Sequence, residues 1–235
     1  MKTLFTLLTF FSCSVLFAQD TIVSQDTLAP RHNHIVSMSL FKPLFAESAR
    51  WQFGYMHRVS RRFWAGTDIG YGNYAISLGA KGRAEDGFSS HNYQLFEVRP
   101  EFYYDIINEG LLECLISTEL FYIHHIDTFR DDSFHTENGG TVDFSKADYK
   151  RVKTGVNFNL TCLIAFNDNI GLILKGGLGI RLRDVKYSHV TVTSTNNSDG
   201  DSWDFDLFGT DDYKKNEGKI TGLNGDLDLK FFYRF

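Results

Sequence analysis

Residues 223–235 read LNGDLDLKFFYRF. Leu223, Gly225, Leu227, Leu229, Phe231, Tyr233 and Phe235 take every second place, with Asn224, Asp226, Asp228, Lys230 and Arg234 between them. Side chains that recur with period two lie on one face of an extended strand. The segment therefore reads as a strand with one apolar and one charged face. Residues 170–183, IGLILKGGLGIRLR, repeat the pattern. There Leu172, Leu174, Leu178, Ile180 and Leu182 oppose Lys175, Arg181 and Arg183.

Working towards the N-terminus, six more segments alternate in the same way. They are Val36–Leu40, Trp51–Tyr55, Phe63–Tyr71, Phe96–Tyr104, Leu112–Tyr122 and Val152–Ile164. Across all eight, the apolar face carries no Asp, Glu, Lys or Arg. The opposite face collects the basic Arg50, Arg58, Arg99, Lys153, Lys175, Arg181, Arg183, Lys230 and Arg234. It also collects the acidic Asp68, Glu97, Glu101, Glu113, Glu119, Asp226 and Asp228. An all-β fold of eight antiparallel strands follows.

Such strands suit either a soluble barrel with charges outside or a membrane barrel with charges inside. Three features favour the membrane barrel. The connections alternate in length: 60–62, 106–110 and 167–169 are short, whereas 43–49, 73–92, 124–150 and 184–221 are long. Short turns on one side and long loops on the other are the outer-membrane arrangement. Apolar-face aromatics gather at strand ends, with Trp51, Tyr71 and Tyr122 at one rim and Phe63, Tyr104 and Tyr233 at the other. Rings favour both membrane interfaces. Finally, Leu227, Leu229, Phe231, Tyr233 and Phe235 keep step to the last residue, a pattern that resembles the insertion signal read by the barrel-assembly machinery.

Composition agrees. The chain has 235 residues and a formal net charge of -5, with 15% aromatic residues. The acidic balance excludes a nucleic-acid binder that works by bulk electrostatics. Aromatic content this high excludes a disordered chain. After Met1-Lys2, residues 3–18 are uncharged and mostly apolar, the mark of a secretory signal peptide cleaved near Ala18 or Gln19. The expected organisation is a signal peptide over 1–19, a periplasmic tail over 20–33 and the barrel over 34–235.

The strand count, short turns and C-terminal pattern resemble the small eight-stranded barrels of the OmpA membrane-domain and OmpX type. Residues 96–104, FEVRPEFYY, and the Ala18-Gln19 signal end are similar to small barrel proteins of Bacteroidetes. The resemblance implies an up-and-down transmembrane barrel in the outer membrane of a Gram-negative cell. Its long loops would be extracellular, its termini periplasmic and its surroundings outer-membrane lipid. It implies no active-site residue.

Eight strands enclose a lumen that side chains just fill. The sixteen charges are therefore expected to pair into a plug, because an unpaired buried charge costs several kcal/mol. The leading functional expectation is a structural or surface-interaction role through the loops, with no catalytic, cofactor or metal site. The alternatives are a narrow pore or small-solute transporter and an outer-membrane lipid-modifying enzyme.

Smaller features stay open. A hairpin centred near Asn138 would set Cys114 opposite Cys162, either as small apolar residues or as a disulfide. His124, His125, His135 and Glu137 are loose candidates for metal, and Ser133, His125 and Glu119 for a rim triad. The acidic run from Asn197 to Asp212 reads as a solvated loop, with calcium as the alternative. Asp20-Thr21-Ile22 and Asp26-Thr27-Leu28 resemble O-glycosylation acceptors.

Overall fold

The computed structural model describes residues 33–44, 48–76, 92–109, 111–136, 140–196 and 216–235. The signal segment, the N-terminal tail up to His32, Glu137, the acidic run within 197–215 and the glycosylation motifs lie outside these residues. Eight strands run in chain order: β1 (His34–Ser39), β2 (Trp51–Arg58), β3 (Phe63–Asn73), β4 (Gln94–Glu109), β5 (Leu112–His135), β6 (Thr141–Ala165), β7 (Ile170–Asn196) and β8 (Gly218–Arg234). Each pairs antiparallel with the next, and β8 closes on β1 through Val36↔Tyr233 and Met38↔Phe231. The result is a closed barrel without a free edge around its base.

The alternating residues divide as their period requires. Phe53, Ile69, Phe102, Leu120, Phe158, Leu178, Ile180, Leu182 and Leu227 point outward and are exposed. Glu97, Glu119 and Asp228 point inward and are wholly buried. The distribution is thus inverted relative to a soluble barrel. A contiguous apolar surface of this extent is far larger than a water-facing monomer exposes.

Both described ends of the barrel chain and the short turns lie at one end, called here the short-turn end. His34 and Phe235 exchange two backbone hydrogen bonds there, at 3.2 and 2.9 Å.

The long-loop end departs from expectation. The stretches 124–150 and 184–221 are not wholly loop. β5 runs on to His135, β6 begins at Thr141, β7 continues to Asn196 and β8 begins at Gly218. A membrane crossing takes about 9–11 tilted residues, so strands of 24, 25 and 27 residues project well beyond one. β4 leaves β5 at Ile126, and β8 leaves β7 at Val185. Above those points the described ladders are β5–β6–β7, up to Thr141↔Asn196, and an isolated bridge joins His135 to Asn216.

This three-stranded extension bends across one line. Asp131 and His189 have φ of 51° and 50°, and the β6–β7 register slips between Asp143 and Asp148 at the same level. Bulges of this kind bend a strand and raise its twist. The bend brings the tip back towards the barrel, where His135 O accepts a hydrogen bond from Glu217 N at 2.8 Å. The concave side encloses Phe129, Phe134, Phe144, Ala147, Tyr149 and Val185. Phe134 stacks on Tyr187 with centroids 4.2 Å apart. Burial, with Tyr149, Asp132 and Glu217 nearby, pushes the Tyr187 phenol well above its ordinary pKa, so the ring stays neutral in this core.

Candidate functional site

Among the described residues, the lumen is where the strands bring many ionisable side chains together, and it is built in tiers. At the short-turn mouth, Arg234 binds Glu113 at 2.8 Å. Arg58 lies 3.7 Å from Glu113 and 3.9 Å from Asp105. The Arg58 guanidinium also covers the Trp64 ring at 4.1 Å, a cation–π contact.

Above this mouth lies an apolar floor. Ile35, Met56, Trp64, Tyr103, Leu115, Leu163, Ile173 and Phe232 pack across the barrel, all nearly or fully buried. Alternation alone placed only polar groups inside, so the floor corrects that picture. Its signal lay in unbroken apolar runs at the strand ends, such as Phe63-Trp64, Phe102-Tyr103-Tyr104 and Phe231-Phe232-Tyr233, where both faces are apolar.

The charge network fills the middle. Lys175 joins β7 to β4 and β5 by binding Glu101 at 2.5 Å together with Glu119. Glu101 also accepts hydrogen bonds from Tyr103 Oη at 2.8 Å, Ser117 Oγ and Asn159 Nδ2 at 3.0 Å. Glu119 accepts from Arg99 at 2.7 Å and Asn157 at 2.8 Å. Glu97 lies 2.8 Å from Arg50 and 3.2 Å from Arg99. Lys230 binds Asp68, which also accepts from Gln52 at 3.2 Å. Asp228 accepts from Ser39 at 2.6 Å and faces Lys42 at 3.4 Å. Asp226 lies 3.4 Å from Arg99 and 3.8 Å from both Lys42 and Lys175.

Two glycines make room for this. A Cβ on Gly177 would stand 2.0 Å from Asn159 Oδ1, and one on Gly179 would stand 2.3 Å from Asn157 Oδ1. The bare backbone of β7 thus lets both amides reach the carboxylates they serve.

Of the sixteen charges that the alternation placed inside, the network gathers ten: Arg50, Asp68, Glu97, Arg99, Glu101, Glu119, Lys175, Asp226, Asp228 and Lys230. Arg58, Glu113 and Arg234 belong to the mouth rather than to the network. Arg181, Arg183 and Lys153 sit above it, towards the long-loop end. Lys42, Asp105 and Arg151 were missed. Lys42 lies in a short 3-10 turn after β1, Asp105 beyond the expected end of β4, and Arg151 just before the expected start of β6.

Asp68, Glu101 and Glu119 present carboxylate oxygens within 4.8 Å of one another, a spacing that suits a cation. Lys175 and Lys230 already supply that charge. The histidines do not converge: His125 is buried between Tyr93 and Tyr149, whereas its neighbour His124 projects from the other face of β5. Glu119 and His125 are separated by about 20 Å of strand rise, so no triad forms with Ser133. Chemically, a network in which each carboxylate is already bound to a cation or to several donors offers no free acid or base. It fixes side chains and closes space.

No family model matches the chain, and no curated protein matches it. Among solved structures, the chain is similar to a crystal structure of a major outer membrane protein from Thermus thermophilus. The two share 14% identity at a TM-score of 0.46, over 87% of this chain and 98% of that one. So remote a likeness carries no argument here. The inverted closed barrel itself, with an apolar exterior and a filled interior, carries the functional reading.

Proposed function

We propose that this chain is an integral outer-membrane β-barrel whose lumen is sealed and whose role is structural or interactive. The observation that carries the reading is the pairing of an exposed apolar belt with an interior closed at two levels. The apolar floor and the charge network stand in series, and Leu115, Phe232, Glu97, Glu119 and Asp228 are all fully buried. A conducting lumen needs a continuous wet path.

The short-turn end, with His34 and Phe235, is assigned to the periplasm and the bent extension to the exterior. The OmpA/OmpX-type resemblance supports this orientation. Leu227, Phe231, Tyr233 and Phe235 lie on the outer face of β8, in place to serve as the insertion signal and to meet lipid. The partner-facing surface is then the β5–β7 extension. Its rigid aromatic core holds a sheet clear of the membrane, where a loop would be mobile.

The test is single-channel recording of refolded protein in a planar bilayer, with folding confirmed by a boiled-versus-unboiled gel shift. The reading expects folded protein and no unitary steps. Steady conductance altered by Glu119→Gln would overturn it in favour of a pore.

A further inference from the structure

The apolar belt is not smooth. On the outer face of β4, β5 and β6, towards the short-turn end, lies an open groove of about 540 Å³. The register row Phe102–Thr118–Phe158 crosses it. The two rings are 55% and 65% exposed and flank the shorter Thr118, which forms the floor. The next outward row, Phe63–Tyr104–Ile116–Leu160, carries the groove on towards the turn 60–62.

At the rim the groove meets charge. Arg62 precedes Phe63 and donates a hydrogen bond from Nη1 to Tyr104 Oη at 3.1 Å. Arg62 and its neighbour Arg61 are exposed. The nearby carboxylate, Asp105, is buried and faces Arg58 in the mouth, at 3.9 Å. An apolar cleft that ends on an exposed guanidinium suits an amphiphile with an anionic head. A second copy of the chain suits it less. Copies inserted with the same orientation would meet patch to patch, which sets Arg61 and Arg62 against their own images.

We propose that this groove binds one glycerophospholipid. Its phosphate is held by Arg62, whose planar fork matches two phosphate oxygens. The Tyr104 hydroxyl adds a second donor, since it accepts from Arg62 and keeps its own proton to give. One acyl chain lies between Phe102 and Phe158 over Thr118. A chain in this notch touches protein on three sides rather than one, and dispersion contacts accumulate accordingly. The inference rests on the outer-membrane reading, which puts the short-turn end in the leaflet that faces the periplasm.

The experiment is native mass spectrometry of refolded protein released from non-ionic detergent micelles. The micelles carry phosphatidylglycerol or, for comparison, the diacylglycerol with the same acyl chains and no phosphate. Flotation with lipid vesicles is measured on the same preparation.

A single phosphatidylglycerol is expected to stay bound, about tenfold or more tighter than diacylglycerol, which lacks the charge-assisted hydrogen bonds. Arg62→Gln should weaken phosphatidylglycerol binding by about tenfold for the same reason. Thr118→Trp fills the floor and should weaken both lipids. Lys219→Gln, exposed at the long-loop end, should change neither.

Phosphatidylglycerol binding that survives Arg62→Gln, or that only matches diacylglycerol, overturns the proposal: the belt would then hold lipid without a site. So does a dimer that carries no lipid, which would make the groove an interface between copies. Protein that floats with vesicles and gives one of these results refutes the site and leaves the outer-membrane reading intact. Protein that does not float refutes both. If Thr118→Trp does not fold, Arg62→Gln and the comparison of the two lipids still decide.

Discussion

Lys175→Met removes the cation that ties three strands together. Its ammonium binds Glu101 and Glu119 and lies 3.8 Å from Asp226, with the side chain 1% exposed. In the variant Glu119 keeps Arg99 and Asn157. Glu101 keeps only the neutral donors Tyr103, Ser117 and Asn159. Breaking a buried pair in this way costs about 3–5 kcal/mol. A change of shape alone, between unbranched side chains of similar length, costs less than about 1.5 kcal/mol. The size of the effect therefore separates the two explanations. With a urea dependence of about 2 kcal/mol per molar, the midpoint should fall by about 1.5–2.5 M. The assay is urea unfolding in lipid vesicles, read by gel migration and by fluorescence, with equal slopes as the check on two-state behaviour. Adding Glu101→Gln to Lys175→Met removes the stranded charge and should recover most of the loss, since neutral replacements of buried pairs are well tolerated. A midpoint shift below about 0.5 M, or a double variant no better than the single, would refute the claim that Lys175 is there for its charge.

Leu178→Arg, at an outward position 62% exposed, should destabilise the folded state in vesicles by about 2–4 kcal/mol if the site lies near the bilayer midplane; a shift within the ordinary surface range of about 0.5 kcal/mol would argue that water bathes this face. Phe134→Ala removes the ring stacked on Tyr187 and should speed limited proteolysis within the β5–β6 extension while the barrel keeps its gel shift; unchanged cleavage would contradict a packed extension. Cys114 and Cys162 are both free, stand directly opposite in the β5–β6 ladder and their thiols interact. Copper–phenanthroline in air should therefore convert them to a disulfide, read as the loss of both alkylatable thiols, and two thiols still reactive after treatment would refute the register.

How much of this was legible depends on which solvent each face meets. Where the outer face is apolar and the inner face charged, period two carries the whole message, and Leu172 to Leu182 or Leu223 to Phe235 can be placed without a structure. The Cys114–Cys162 pairing followed from hairpin arithmetic about residue 138, and the ladder has that register. Beyond Ile126 and Val185 the outer face is no longer uniformly apolar, so residues such as Arg130, Lys146 and Asp148 interrupt the pattern and β5–β7 read as loops. What remained there was β-propensity, as in Val190-Thr191-Val192-Thr193, and aromatic residues spaced along β5 and β6. At the short-turn end the failure was opposite in kind. Both faces of the last rungs are apolar, so a rule that assigns polar residues to the inside could not see Trp64, Leu115, Ile173 and Phe232 closing the floor. Arg151 and Lys42 were missed because strand ends and turns have no period to read.

The central claim is that the faces are inverted: Leu178 and its neighbours touch acyl chains, and Trp64, 2% exposed, does not. The most direct measurement is tryptophan quenching in vesicles whose lipids carry bromine at mid-chain. One protein retains Trp64 in a Trp51→Phe, Trp203→Phe background. The other carries Leu178→Trp with all three native tryptophans replaced by Phe. Strong quenching is expected of the tryptophan at position 178 and none of Trp64. Equal quenching at the two positions, or quenching of Trp64 alone, would contradict it.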